Sequence, residues 1–459
     1  MHILRMTEAQ HTRFESHLLD GSGLEAVAVA LCGRASHAGR TAFMVHDIIE
    51  IPHSECTRQI DSITWPTRRL RQALARAQRD SLAVLKIHSH PGGYPQFSSV
   101  DDASDRELFD AVCLKLPGEH LSAVMLPNGE IFARRLNGAA VAGLIDRVAV
   151  VGNTLCFWPA DKSRAEPADF DIRHRQAFGD YTTQLLSELS VAIVGISGTG
   201  SPTAEMLARL GVKRLVLIDP DIVEAKNLNR IWGARRRHVE EALNKARMMK
   251  AHIEAMGLGT IIEILESRVD TPEAIGLLSS CDFLFGCVDS VEGRDTMNRV
   301  ATFYTLPYID MGVRLDADGS GGMASISSGV HYLIPGGSSL KSRGVYTDAE
   351  LHAEYLKRTD PAFYEDQVRR GYIRGVAVDR PAVISINAAV AAAAVNEMLA
   401  RLHPFRTSTN EMFAIQKLLF SHGRIATRPE GPADIDLAQY VGRGDSCPLL
   451  LSPRFEQAA

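Results

Sequence analysis

Between Val191 and Arg230 the sequence reads VAIVGISGTGSPTAEMLARLGVKRLVLIDPDIVEAKNLNR, an order of residue types that few folds accommodate. Val191 to Val194 and Leu215 to Ile218 are short apolar runs, suited to strands buried on both faces. Between them Gly195, Gly198 and Gly200 let the backbone turn tightly and approach a phosphate. Pro202 falls in the first turn of a helix, where its missing N–H costs nothing, and Gly211 ends that helix. The free N–H groups at such a helix start favour an anion. Asp219 follows the glycines by about 20 positions, as in a dinucleotide-binding unit. Ser197 replaces glycine at the third residue of that fingerprint, so the neighbouring residues must decide which nucleotide is held.

With 459 residues, 45% hydrophobic and 23% charged, the chain has material for two or three domains with real cores. A formal charge of −5 gives no electrostatic footprint for nucleic acid. The N-terminal MHILRMTEAQ has no apolar core for a signal peptide, and Ala388 to Val395 is too short to span a bilayer. Seven scattered cysteines, an odd number, suit reduced thiols rather than a disulfide framework. The expectation is a soluble, cytoplasmic protein without a nucleic-acid or membrane partner.

The first domain is read as residues 1–158. It contains His88-Ser89-His90-Pro91, followed after six residues by Ser98-Ser99-Val100-Asp101. Leu82 to Ile87 reads as a strand, so a His-x-His pair at its end places both imidazoles on one face. Asp101 opens an expected helix from Val100 to Leu114, where the free N–H groups favour a carboxylate. Two imidazoles and one carboxylate make an open zinc site with a fourth position for water. Glu25, at the start of an apolar run, is the candidate general base; standing alone it would read as a solvated residue at a strand's edge. Cys32, Cys56 and Cys113 lie among apolar neighbours and read as packing residues.

This constellation resembles the JAMM motif of MPN-domain metalloproteases, which remove ubiquitin or ubiquitin-like proteins and process their precursors. The resemblance implies zinc on His88, His90 and Asp101, with Asp102 as runner-up ligand. It implies Glu25 as general acid/base and Ser98 as donor to the tetrahedral oxyanion.

Residues 159–170 are polar and aperiodic and read as a linker, with a second domain at 171–459. Its opening Arg173-His174-Arg175-Gln176, together with the cradle, resembles the adenylating domain of the ThiF/MoeB and ubiquitin-activating superfamily. The resemblance covers roughly 171–424. It implies that Arg175 reaches the ATP of a partner in a homodimer, that Asp219 holds the ribose, and that Asn227 and Arg230 meet the phosphates. It further implies that Lys245 binds phosphate and that Asp289 holds magnesium, with Arg294 and Asn298 following at the usual offsets. A carboxylate that attacks an anionic α-phosphorus needs such a set to disperse charge, whereas a dehydrogenase does not.

Two departures shape the expectation. Relatives with structural zinc carry two Cys-x-x-Cys pairs; here the positions read Ser339-Leu340-Lys341-Ser342 and Cys447-Pro448-Leu449-Leu450, so no metal beyond magnesium is expected in this domain. No cysteine lies between Cys287 and Cys447, where ubiquitin-activating relatives place a thioester nucleophile. The segment from Arg343 to Arg374 is expected to form helices above the nucleotide and to receive a substrate tail, and Pro381 to Leu402 is expected to be a core helix.

The fold expected is therefore α/β: an MPN-like domain with a zinc site, then a Rossmann-like, mostly parallel adenylation domain. The function expected is a bifunctional enzyme using zinc, ATP and magnesium on the C-terminus of a ubiquitin-like or sulfur-carrier protein, with a conjugating-enzyme-like acceptor as one candidate for the final nucleophile. The rivals are an adenylating enzyme for a peptide or small carboxylate, a nicotinamide-binding oxidoreductase, and a non-catalytic binding module.

Overall fold

The computed structural model describes residues 1–161, 170, 172–317, 323–370, 382–452 and 454–455. Residues 162–169 of the expected linker, the end of the Arg343–Arg374 segment and Pro381 lie outside the described residues. Contacts divide the chain into two compact units, one comprising Met1–Ser163, Thr302–Thr305 and Gln439–Ala459, the other Arg164–Ala301 and Leu306–Ala438.

In the first unit the elements are β1 (His2–Thr7), α1 (Glu8–Leu18), β2 (Val27–His37), β3 (Arg40–Glu50), β4 (Thr57–Arg58), β5 (Ile63–Thr64), α2 (Leu70–Asp80), β6 (Ala83–Ser89), α3 (Ser99–Cys113), β7 (His120–Met125), β8 (Ile131–Asn137), β9 (Ala140–Leu144), β10 (Arg147–Val151) and β11 (Cys156–Pro159). All strands but the β4–β5 pair join one sheet in the order β11-β10-β1-β3-β2-β6-β7-β8-β9. Strand β2 shows why the sheet is covered on both faces. Its Ala28, Ala30 and Cys32 enter a core with Phe14 and Leu18 of α1, while Val27, Val29 and Leu31 enter another with Leu70 of α2 and Phe109 of α3. Successive strand residues point to opposite faces, so a run with no polar alternation needs helices on both sides. The tail from Gln439 belongs to this unit: Gly33 donates its N–H to Gly442 O at 3.1 Å, and Asp445 donates to Arg34 O at 2.9 Å.

In the second unit follow α4 (Ile172–Leu186), β12 (Ser190–Val194), α5 (Gly200–Arg209), β13 (Arg214–Ile218), α6 (Arg236–Glu240), α7 (Lys245–Glu254), β14 (Ile261–Leu265), α8 (Pro272–Ser279), β15 (Phe283–Gly286), α9 (Val291–Phe303), β16 (Tyr308–Ala317), β17 (Met323–Leu333), α10 (Asp348–Thr359), α11 (Pro361–Arg369), α12 (Ile384–Leu402), β18 (Ile415–Leu419), β19 (Arg424–Arg428) and α13 (Ile435–Ala438). The sheet order is β14-β13-β12-β15-β16-β17-β18-β19. Pairings from β14 through β16 are parallel, and those from β16 to β19 are antiparallel. The parallel half carries the Rossmann-like character expected. From β12 the chain goes to β13 on one side and later to β15 on the other, which opens a crevice at the carboxyl ends of these strands. Among the described residues no helix is long and apolar enough to cross a membrane.

Candidate metal centre and nucleotide cradle

Strand β6 is buried along its whole length and ends one residue before His90. Its antiparallel register pairs Val27 with His88, and Ala26 and Ser89 lock the strand ends together: Ala26 N–H donates to Ser89 Oγ and Ser89 N–H to Ala26 O, both at 3.0 Å. This brings Glu25 beside the two histidines. Donor atoms of Glu25, His88 and His90 lie within 4.8 Å of one another, and all three residues are buried.

The opposite wall is the start of α3. Ser98 is its N-cap: its hydroxyl accepts the Asp101 N–H at 3.1 Å and donates to Asp101 Oδ2 at 2.7 Å, while Ser98 N–H also donates to that oxygen at 2.7 Å. This capping box aims the Asp101 carboxylate at the strand end. Asp101 Oδ1 lies 2.7 Å from His88 Nε2, Asp101 Oδ2 lies 3.3 Å from His90 Nε2, and the two Nε2 atoms are 3.2 Å apart. Ligands at tetrahedral zinc distances lie roughly 3.3 Å from each other. The donor set therefore fits a zinc ion, and an outer-shell partner is present for His90 but not for His88 among the described residues. His90 Nδ1 bonds Tyr94 O at 2.8 Å, which fixes its tautomer, and His88 Nδ1 is buried with no hydrogen bond among the described residues. Asp102, the alternative ligand, instead pairs with Arg134 and is half-exposed.

Charges in the centre are tuned by burial. Burial pushes Glu25 up to about 7, the neighbouring Asp101 adding to the rise and His90 opposing it. For Asp101, burial is outweighed by hydrogen bonds from His88 and His90, which hold it well below the carboxylate range. Burial lowers His88, whereas in His90 the Asp101 and Tyr94 bonds outweigh burial and raise it. A half-buried arginine that sequence reading missed, Arg58, ties down the segment before Glu25. Its guanidinium donates to Glu25 O at 2.7 Å, Leu24 O at 3.0 Å and Asp20 at 2.8 Å. No spacing signal connects it to Glu25, because β4 is joined to that segment only by folding.

The cradle of the second unit forms where β12 and β15 end. Gly195 has φ 91°, and a Cβ there would stand 2.7 Å from Cys287 O. A Cβ on Gly200 would overlap Gly195 O, so the turn into α5 closes on itself only with glycine. Asp219, at the end of β13, accepts the Ile196 N–H at 2.6 Å and the Asp221 N–H at 2.9 Å, and burial raises its pKa. Lys245 starts α7 behind the N-cap Asn244. Its ammonium is buried, 2.7 Å from Asp221 and 3.9 Å from Asp219. Lys245, Asp219 and the glycine loop thus share one crevice.

The other expected residues are placed less uniformly. Asn227 is buried and its side chain accepts the Glu224 N–H at 2.9 Å, a local cap. Arg230 donates to Lys226 O at 2.7 Å, and its stem lies beside Gly198. Asp289 follows β15 and is exposed. Arg294 is partly buried and pairs with Asp310 at 3.2 Å, and Asn298 meets Tyr346 OH at 3.4 Å. Arg175, in α4, pairs with Asp180 at 2.6 Å. Cys32 and Cys287 are packing residues: burial pushes the Cys287 thiol up to about 12 and Cys32 higher still. At the Ser339-x-x-Ser342 position each serine hydroxyl accepts the other's N–H, and Ser339 donates to Asp434 at 2.5 Å.

The model of the ThiF family matches residues 172–431, more than half of the chain. This protein belongs to the ThiF family. Its first unit carries a second match, to prokaryotic homologs of the JAB domain, over residues 7–136. The chain is also similar to ubiquitin-like modifier-activating enzyme 5: 28% identical to that of Arabidopsis thaliana over 167 residues, 33% of this chain and 36% of that one. With the Dictyostelium discoideum protein it is 30% identical over 168 residues, 34% of this chain and 41% of the relative. The alignments thus span well under half of these relatives' length. Among solved structures, E. coli MccB with MccA-N7isoASN matches at a TM-score of 0.46 and 15% identity, covering 59% of this chain and 75% of that one. As a ThiF-family chain it carries a ThiF adenylation domain together with a JAB-like domain, as the motifs imply.

Proposed function

We propose that this chain is a bifunctional enzyme that cleaves a peptide or isopeptide bond at the C-terminus of a ubiquitin-like or sulfur-carrier protein and adenylates the carboxylate so exposed. The observation that carries the reading is the convergence of His88, His90, Asp101 and Glu25 in a chain whose other half belongs to the ThiF family. Tethering the two sites raises the concentration of one product near the other catalyst.

His88, His90 and Asp101 would hold zinc, which when bound polarises the scissile carbonyl and acidifies water. Glu25, raised toward neutrality by burial, accepts the proton of the attacking water and returns it to the leaving amine. Ser98 Oγ, which donates to Asp101 Oδ2 in this structure, would turn to donate toward the oxyanion, while the Ser98 N–H keeps the Asp101 carboxylate aimed at the strand end. In the second reaction the substrate carboxylate oxygen attacks the α-phosphorus of ATP, and the bond to pyrophosphate breaks. Asp219 retains lone pairs for the ribose beyond those its two backbone N–H partners use. The positive ends near Gly195, Gly198 and Gly200, with Asn227, Arg230 and Lys245, disperse phosphate charge, and Asp289 would hold magnesium. Arg175 reaches the nucleotide of the second protomer in a homodimer, and the enzyme works in the cytoplasm, handing its product to a conjugating-enzyme-like acceptor. The absence of a cysteine between Cys287 and Cys447 supports adenylation without a thioester on this chain. The same absence favours the second reading, an adenylating enzyme for a peptide or small carboxylate.

The test is a trap. Glu25→Ala chain is incubated with Mg-ATP in lysate, and what co-purifies is weighed intact against a Lys245→Ala control. A small protein bearing an added AMP, or an uncut extension, retained only with Lys245 intact, is the result expected. Recovery of adenylated peptides or small acids alone would move the assignment to the second reading.

A further inference from the structure

Asn387 lies in the first turn of α12, a helix whose alanine-rich sequence reads as plain core. Its side chain nevertheless contacts the cradle. A Cβ on Gly198 would overlap the Asn387 amide nitrogen, and the Arg230 stem lies 3.5 Å from the same point. Asn387 is 4% exposed. Its only hydrogen bond among the described residues is made by the backbone, from its N–H to Val383 O, so among those residues neither amide atom has a partner. The carboxamide therefore keeps hydrogen-bonding capacity that the described residues leave unused, beside the glycine loop.

What the ligand must be follows from the surroundings. Gly198 belongs to the loop that leads into α5, a ten-residue helix whose N-cap Thr199 supplies no side-chain cap. The helix start is a positive end and the carboxamide N–H a donor, the Arg230 side chain passes the same point, and together they suit an anionic oxygen. The neutral amide adds direction where Arg230 and Lys245 add charge. We propose that Asn387 donates its side-chain N–H to a phosphate oxygen of the nucleoside triphosphate bound in this cradle, as a positioning and binding residue of the adenylation site. The inference rests on the adenylation reading above and deepens it.

The test measures binding rather than turnover. Full-length wild type, Asn387→Ala and Asn387→Asp are titrated calorimetrically with Mg-α,β-methylene-ATP and, separately, with adenosine. The expected result is a roughly 10- to 100-fold loss of triphosphate affinity in Asn387→Ala, a larger loss in Asn387→Asp, where a carboxylate faces phosphate, and less than about 2-fold change for adenosine. Equal losses for both ligands would mark Asn387 as a packing residue only and overturn the inference, as would unchanged triphosphate affinity in both variants. Should Asn387→Ala fail to fold, the isosteric Asn387→Asp, with its melting transition checked against wild type, decides alone. A wild-type chain that binds no triphosphate would overturn the adenylation reading, and this inference with it; a wild type that binds beside unaffected variants overturns the inference alone.

Discussion

Lys86 donates to Asp105 at 2.7 Å, and both side chains are buried. The pair ties β6, which carries His88, to α3, which carries Asp101. Arg134 from β8 donates to the other Asp105 oxygen at 2.7 Å and 3.1 Å, so one carboxylate serves two buried cations. Asp105→Ala would leave those cations facing each other without their shared counter-charge, at a cost of roughly 3–5 kcal/mol. Lys86→Met should cost less, because Arg134 still satisfies Asp105. Urea unfolding of the full chain checks the ranking; an Asp105→Ala penalty below about 1 kcal/mol would remove this pair as the link between strand and helix.

Zinc occupancy should depend on the residues that converge and not on their neighbour in sequence. His88→Ala and His90→Ala are each expected to lose most bound zinc, whereas Asp102→Asn, whose native side chain pairs with Arg134, should keep nearly all of it. Metal analysis after dialysis against zinc-free buffer provides the readout. Zinc retained by both histidine variants and lost by Asp102→Asn would reverse the ligand assignment.

The sequence makes some of this site legible and hides the rest for definable reasons. β6, α3 and their His-x-His and Asp101 positions follow from strand alternation and helix-start chemistry. The Ser98-x-x-Asp101 capping box also separates Asp101 from Asp102, since only the third helical residue reaches back to the cap. Glu25 needs the β2–β6 register, which residue spacing does not specify. Arg58 and Asn387 approach their sites from elements distant in sequence, and neither carries a local pattern. In the cradle, glycines and the β13 acid are local features and readable. The ion pair of Arg294 with Asp310 depends on α9 meeting β16 and is not.

Acid should destabilise the second unit through His331. On β17 opposite Asp310 of β16, His331 is pushed down to about 4 by burial, with Arg343, Arg294 and Lys417 adding to the shift and Asp310 opposing it. Unfolded, the same imidazole titrates near about 6.5. Between these values the unfolded chain binds a proton that the folded chain does not, so stability is full above the window and falls as pH drops through it. The loss is up to roughly 3 kcal/mol. His331→Gln should flatten the dependence between pH 6.5 and 4 in urea titrations. An unchanged slope in that variant would assign the acid sensitivity to other groups.

Ser98 combines two duties that substitution can separate. As the N-cap of α3 it satisfies the Asp101 N–H, so Ser98→Ala should cost about 1 kcal/mol of stability, while Ser98→Gly should cost only a few tenths. As the proposed oxyanion donor its hydroxyl is needed in the transition state, and glycine is no better than alanine there. Loss of one such donor lowers kcat by roughly 100- to 1000-fold. The two variants should therefore differ in melting temperature and agree in rate on a cleavable ubiquitin-like fusion, with KM little changed. If the rate instead follows stability, with glycine near wild type and alanine impaired, Ser98 acts by holding Asp101 in place and the oxyanion must be met by another donor.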